Sequence, residues 1–437
     1  MYVFPSWTIG GILGIRHLPY IVTGGIWGSN YIIIGPKAKI GAMAFVLSIA
    51  SDKPERLRAC LAAYARAAAG LAPWSVLVCD GSDTPAANQQ AVESAARDSG
   101  ICVRHLTGRH FDLASRIVSE SLGREAPALF SETPGGARNL CLAHALASGA
   151  TGIVFCGDGT APAGGFFGRY EARFGEGWKL VPGGLEGHAR GSAPALLMAM
   201  KDALAEADAG ITSPESAASS VSRALRGAPP RRSSHSRNAF SLDNVGVSRE
   251  LAGTVPFPVT ALPCEAAMYR LAAEGLAVGG RGTFLPANDA SAYRFTPIAE
   301  SNAEPGDAPV LFGRLRGELK GCALMRVLSS IGVESLRRQT ALSEDEFGSS
   351  LAEANGAAWS DFNMDANRTA LRAAVPLSSG EERDELERII SLEEKDAALA
   401  APEAKSELAL FSFSIRAWPY VTAALENGEV KRKLLEM

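Results

Sequence analysis

The chain has 437 residues, 47% hydrophobic and 21% charged, the balance of a soluble globular protein with two domains or one large domain and an appendage. Its net charge of −4 gives no support for a nucleic-acid partner. Seven cysteines without a Cys-x-x-Cys or Cys/His cluster argue against a disulfide framework and a structural zinc site, and for free buried thiols in a reducing, cytoplasmic compartment.

Residues 1–42 are rich in Gly, Ile and aromatics, but Arg16, His17 and Asn30 interrupt them before any run reaches the roughly 18 apolar residues of a spanning helix. They lack the basic start, apolar run and cleavage site of a signal peptide. They read as an N-terminal extension, with a peripheral membrane contact as the sharper alternative.

From residue 44 the pattern becomes regular. Residues 44–49 form a short apolar strand ending in Ala50-Ser51-Asp52, and Pro54 opens a helix that runs to 69. A second strand, 75–79, empties into the acidic turn Asp80-Gly81-Ser82-Asp83. A helix over 86–99, a third strand over 101–106 and a helix over 113–122 follow. Strands alternating with helices of this length imply parallel βαβ units.

Residues 132–162, ETPGGARNLCLAHALASGATGIVFCGDGTAP, organise the rest. Two glycines lead into a helix carrying Arg138 and Asn139, a break follows at Gly149, and a buried-type strand over 152–156 ends in a turn holding Asp158. Open α/β sheets place ligand chemistry just past the carboxyl ends of such strands, so Asp80 and Asp158 are expected to face one crevice. Each also has a purely structural explanation, an Asx turn for Asp80 and a turn before Gly159 for Asp158. Asp52, at the end of the first strand, is either a site residue or the N-cap of the helix at Pro54. An arginine near a helix N-terminus, as Arg138 is expected to be, suits anionic diphosphate oxygens.

Further on, 178–182 is a candidate strand and 193–207 a helix. Residues 213–239, dense in Ser, Pro and Arg, read as a long mobile loop of the kind that carries function. A helix over 263–275 has Glu265 in its first turn, and 277–285 is a strand or extended segment. From 309 the chain reads as helical, over 310–331, 344–354, 379–400 and 403–425.

These motifs, in this order, resemble the family-2 glycosyltransferases with the GT-A fold. VLVCDGSD is similar to the family's Asp-Asp-Gly-Ser turn, GGARNLCLAHALASG to its Gly-x-Ala-Arg-Asn helix, and IVFCGDGTAP to its Asp-x-Asp strand end. SLDNVGVSREL and PFP resemble the segment that usually reads Gly-Gly-Asn before an apolar strand and Ser-Arg-Glu, and PCEAAMYRL the Glu-Asp helix start. The resemblance implies a mainly parallel α/β sheet sandwiched by helices over 43–308, followed by a helical C-terminal region over 309–437. It also implies transfer of a sugar, hexosyltransferase-like, from a nucleoside-diphosphate sugar to an acceptor that is a glycan, a lipid-linked or a small molecule.

On this resemblance Asp52, Asp80, Arg138, Asn139, Asp243 and Asn244 bind the nucleotide sugar, Asp158 holds a divalent cation (Mn2+ or Mg2+), and Glu265 is the base of an inverting displacement. The sequence departs from the family at Cys156 and Cys264, where acids are usual. A hard cation gains nothing from a thiol. His105, His110 and His188 read as ordinary histidines, since no second ligand stands at metal spacing. Two other readings remain: a degenerate domain that binds nucleotide or glycan without turnover, and a sugar nucleotidyltransferase. Against the latter, Ser51-Asp52-Lys53-Pro54 lacks the Gly-rich basic loop that grips a triphosphate.

Overall fold

The structure, a computed structural model, describes residues 45–51, 54–68, 74–82, 85–99, 101–122, 129–186, 242–260, 265–276, 287–294 and 407–436, with a few isolated positions besides. These residues all lie in one compact unit, Ile32–Met437.

Strands β1 (Phe45–Ser51), β2 (Trp74–Asp80) and β3 (Cys102–Leu106) alternate with helices α1 (Pro54–Ala68), α2 (Pro85–Ser99) and α3 (Gly108–Leu122). Then come α4 (Pro134–Ser148), β4 (Gly152–Gly157), β5 (Thr160–Pro162), α5 (Phe166–Gly175) and β6 (Leu180–Glu186). The second half contributes β7 (Asn244–Ser248), α6 (Arg249–Thr254), α7 (Glu265–Leu276) and β8 (Ala287–Arg294). A bent pair, α8 (Glu407–Ala424) and α9 (Gly428–Leu435), ends the chain.

The strands form one sheet in the order β3-β2-β1-β4-β7-β6-β8-β5. The four on the β3 side run parallel, whereas β7 is antiparallel to both β4 and β6. Both faces are covered, because the strands are apolar on both. In β1, Val46 faces one core cluster while Phe45, Leu47 and Ile49 face the other, and β2 and β4 alternate likewise. The first cluster includes residues of α3, α4, α6, α7, α8 and α9, and the second residues of α1, α2 and α5. This is the mainly parallel sandwich with helices at the C-terminus that the resemblance implies.

Helix α8 shows why the C-terminus belongs to this core. Leu408, Phe411, Ile415, Trp418 and Val421 recur at helical spacing and are all buried. The Trp418 indole N–H also donates to the Ala252 carbonyl at 2.8 Å. Among the described residues no single helix is long and apolar enough to cross a membrane.

Most element bounds fall within a residue or two of the sequence expectation, with clear exceptions. α3 begins at Gly108, five residues before the expected start. α5 was not expected at all; its Phe166, Phe167 and Tyr170 are buried against the sheet. The expected helices over 193–207, 310–331 and 344–354, the segment 277–285 and nearly all of the 213–239 loop lie outside the described residues, as do 1–42.

Candidate functional site

Register brings the strand ends together. Ser51 pairs with Asp80 on one side, and Ala50 pairs with Gly157 on the other. Asp158 follows Gly157, its backbone N–H donating to the Ala50 carbonyl at 3.2 Å. The Ser51 hydroxyl donates to Asp158 Oδ2 at 3.0 Å. Both acids thus flank the end of β1, as strand-end placement predicts. Asp52 itself lies outside the described residues.

Asp80 is buried, and its carboxylate is fully engaged within the protein. Oδ1 accepts from the Ser82 backbone N–H at 2.9 Å and from Asn88 Nδ2 at 2.8 Å, and Oδ2 lies 2.7 Å from His105 Nε2. Burial alone would push the carboxyl up, but the bonds from His105, Ser82 and Asn88 outweigh it and hold the group at about 2. The Asx turn is therefore formed.

Arg138 and Glu265 meet across the site. One guanidinium nitrogen, Nη1, lies 2.6 Å from Glu265 Oε1 and 2.7 Å from Oε2. Both side chains are mostly buried, at 13% and 11% exposure. The guanidinium also sits 5.8 Å over the Phe257 ring, which stacks on Tyr269. Burial pushes the Glu265 carboxyl up; Arg138 opposes that, and the negative charge of Asp243 adds to it.

The helix start differs from expectation, with consequences for Arg138. α4 begins at Pro134, capped by Thr133, whose side chain accepts from the Gly136 N–H. Both glycines therefore lie inside the first turn, and Arg138 and Asn139 in the second. Gly135 is needed for contact, since a methyl there would overlap the Pro258 carbonyl. The Gly136 N–H donates to the Thr133 hydroxyl at 3.2 Å and the Ala137 N–H to the Thr133 carbonyl at 2.9 Å.

Asn139 and Asn244, expected among the nucleotide-sugar ligands, are engaged within the protein. The Asn139 amide donates to Leu129 and Phe257 carbonyls at 3.2 and 3.1 Å and accepts from the Phe257 N–H at 2.7 Å. Asn244 donates to the Gly184 carbonyl at 2.8 Å and accepts from the Tyr170 hydroxyl at 2.7 Å. Each is 0% exposed and braces the chain around it. Asp243, by contrast, is half-buried at the site, its side chain beside Gly157.

Ser48, Cys79, Arg138, Cys156 and Asp243 line a small cavity of about 20 Å³ at these strand ends. That is room for about one water, not a nucleotide. Segments continuing from it, 52–53, 83–84 and 261–264, lie outside the described residues. The donor set does not make a cation site by itself. Among the described residues no group of three His, Cys, Asp or Glu side chains is placed to hold a metal. The Cys156 thiol, pushed up to about 12 by burial, stays protonated. His105 is occupied with Asp80, and the His110 ring accepts from the Thr107 N–H at 2.8 Å. His188 lies outside the described residues.

Sequence reasoning missed Ser51, Asn88 and the His105–Asp80 pairing. The strand alternation that buries Ile49 puts Ser51 on the same face, a signal that was there to use.

No protein-family model matches the sequence, and no curated protein matches it. Among solved structures the chain is similar to TarS 1-349 from S. aureus, at 12% identity over 86% of this chain and 91% of that one, with a TM-score of 0.39. It is similar to the mannosyltransferase PcManGT from Pyrobaculum calidifontis, in complex with GDP-Man and Mn2+, at 12% identity over 87% and 86%, TM-score 0.38. A third is glucosyl-3-phosphoglycerate synthase from Mycobacterium tuberculosis, in complex with Mn2+, UDP-glucose and phosphoglyceric acid, at 17% identity over 66% and 85%, TM-score 0.34. Glycosyltransferases thus recur among the structures to which this chain is similar.

Proposed function

We propose that the chain transfers a glycosyl group from a nucleoside-diphosphate sugar to an acceptor hydroxyl, with inversion. The observation that carries this reading is the convergence of Asp80, Asp158, Arg138, Asp243 and Glu265 at the carboxyl ends of β1, β2 and β4. In the proposed step the acceptor oxygen attacks the anomeric carbon as its bond to the diphosphate oxygen breaks. The leaving diphosphate carries away the electron pair, and Glu265 takes the acceptor's proton. Arg138 offsets the charge gathering on the diphosphate. Asp80 shapes the turn against which the nucleoside would lie, and Asp243 stands where the sugar would be held.

A divalent cation, if it takes part, would arrive with the diphosphate and water as most of its ligands and Asp158 as the protein's carboxylate. A thermal-shift titration with UDP, GDP and CMP, each with and without Mn2+, tests donor and metal together. Ligand at about 100 times its dissociation constant stabilises by roughly 2.7 kcal/mol. Stabilisation only with Mn2+ assigns Asp158 to the cation, and stabilisation without it assigns the diphosphate to Arg138. Asp158→Ala and Glu265→Ala should each abolish transfer; full activity in both sinks the assignment.

Two observations favour the non-catalytic alternative. Both oxygens of the proposed base are held by Arg138, and Cys156 stands where an acid is usual. Sugar release from any nucleotide sugar would dispose of that alternative.

A further inference from the structure

The Arg138–Glu265 pair joins the two side chains that the proposed reaction needs apart. With its oxygens 2.6 and 2.7 Å from a guanidinium nitrogen, Glu265 is a weaker base than it would be unpaired. Arg138, its charge offset by Glu265, attracts a diphosphate less than it would unpaired. We infer that the pair is a latch exchanged by the donor: the diphosphate takes the Arg138 guanidinium from Glu265, so that donor binding is what releases the base. This rests on the glycosyl-transfer reading and adds an order of events to it, donor before acceptor activation.

Three features favour exchange over a permanent brace. Arg138 lines the small cavity at the strand ends, so its charge stands at the crevice from which the proposed diphosphate would approach. Only one of its terminal nitrogens carries both contacts to Glu265, which is not the two-nitrogen fork that makes Arg–carboxylate pairs strongest. Asp243 also faces the pair, and its negative charge acts on Glu265. Once Arg138 leaves, the remaining influences on Glu265 are burial and Asp243, and both raise its affinity for a proton. The carboxylate is then a stronger base than in the resting pair. On exchange the diphosphate replaces Glu265 on Arg138, so the guanidinium keeps an anionic partner, and Glu265 stays ionised until it takes the acceptor's proton.

Calorimetric titration of the full chain with UDP, GDP and inorganic pyrophosphate tests the latch. In Glu265→Gln the competitor for Arg138 is neutral, so the probe that binds the unsubstituted protein should bind tighter by about 5-fold or more. Arg138→Met should lose that binding. Equal affinity in Glu265→Gln and the unsubstituted protein overturns the latch while leaving the glycosyl-transfer reading in place. If no probe binds either protein, with Mn2+ or without it, both readings fall. A second measurement needs no substitution: the guanidinium NMR signals of Arg138 should move on saturation with UDP or GDP. Signals unchanged at saturation overturn the latch independently of how the variants fold.

Discussion

Asp80 keeps its charge in a buried position because its neighbours donate to the charged form. Its folded pKa, about 2, lies below the ordinary 3.8. A carboxyl depressed in this way contributes stability that is complete above the ordinary value and is lost as pH falls from 3.8 through about 2. Asp80→Asn should therefore be less stable at neutral pH, yet lose less stability than the unsubstituted protein between pH 4 and 2. Urea denaturation at a series of acid pH values reads this directly. Asn139→Ala makes the complementary case: it strips partners from the Leu129 and Phe257 backbone. Each buried group left unsatisfied costs about 1–3 kcal/mol. If the variant loses nucleotide affinity with its stability intact, Asn139 is a ligand after all. The sequence could show that an Asn or Arg follows two glycines, but not what it touches. Arg138 meets a residue 127 positions away and Asn139 one 118 away, and local spacing carries no trace of either.

At the scale of the element, α4 was readable because its ends carry their own chemistry. Thr133 caps it, Pro134 occupies the first turn, and Gly149 ends it with φ of 81°. What the sequence placed wrongly was the pair of glycines, taken as a turn ahead of the helix. Gly135 is helical because the helix packs with its first turn against the chain at Pro258. Gly135→Ala should thus destabilise by roughly 1–3 kcal/mol through overpacking, despite alanine's better helix propensity. Equilibrium denaturation of this variant beside Gly168→Ala, inside α5 where a methyl meets nothing within 4 Å, separates contact from propensity. α5 was missed outright, and β7 was legible only through the resemblance. β7 is five residues with a glycine in the middle, and what makes it a strand is pairing on both edges with β4 and β6. That order in the sheet is not written in any one stretch.

On the scale of the whole molecule, the C-terminal helices close the core over α3 and α4 and place charge near a buried histidine. Leu434 of α9 is 0% exposed, and Arg104 of β3 donates to the Leu435 carbonyl at 2.5 Å. His144, in the middle of α4, is 2% exposed, and neither of its ring nitrogens has a hydrogen-bond partner among the described residues. Burial holds it neutral, with Arg104 and His110 adding repulsion, and its pKa falls from 6.5 to about 3. The sign follows from which state takes up the proton. Between about 3 and 6.5 the unfolded chain binds a proton that the folded chain refuses, so stability falls as pH drops through that window. Well below 6.5 one such proton costs about 1.4 kcal/mol per pH unit. His144→Leu removes both the proton and an unpartnered polar ring while leaving an apolar side chain of fitting chemistry in the core. Its melting temperature should therefore depend less on pH between 6.5 and 4, and should exceed that of the unsubstituted protein at pH 5. An equal acid slope in both proteins would mean that His144 finds a partner on opening to solvent, and that α9 is loosely seated over it.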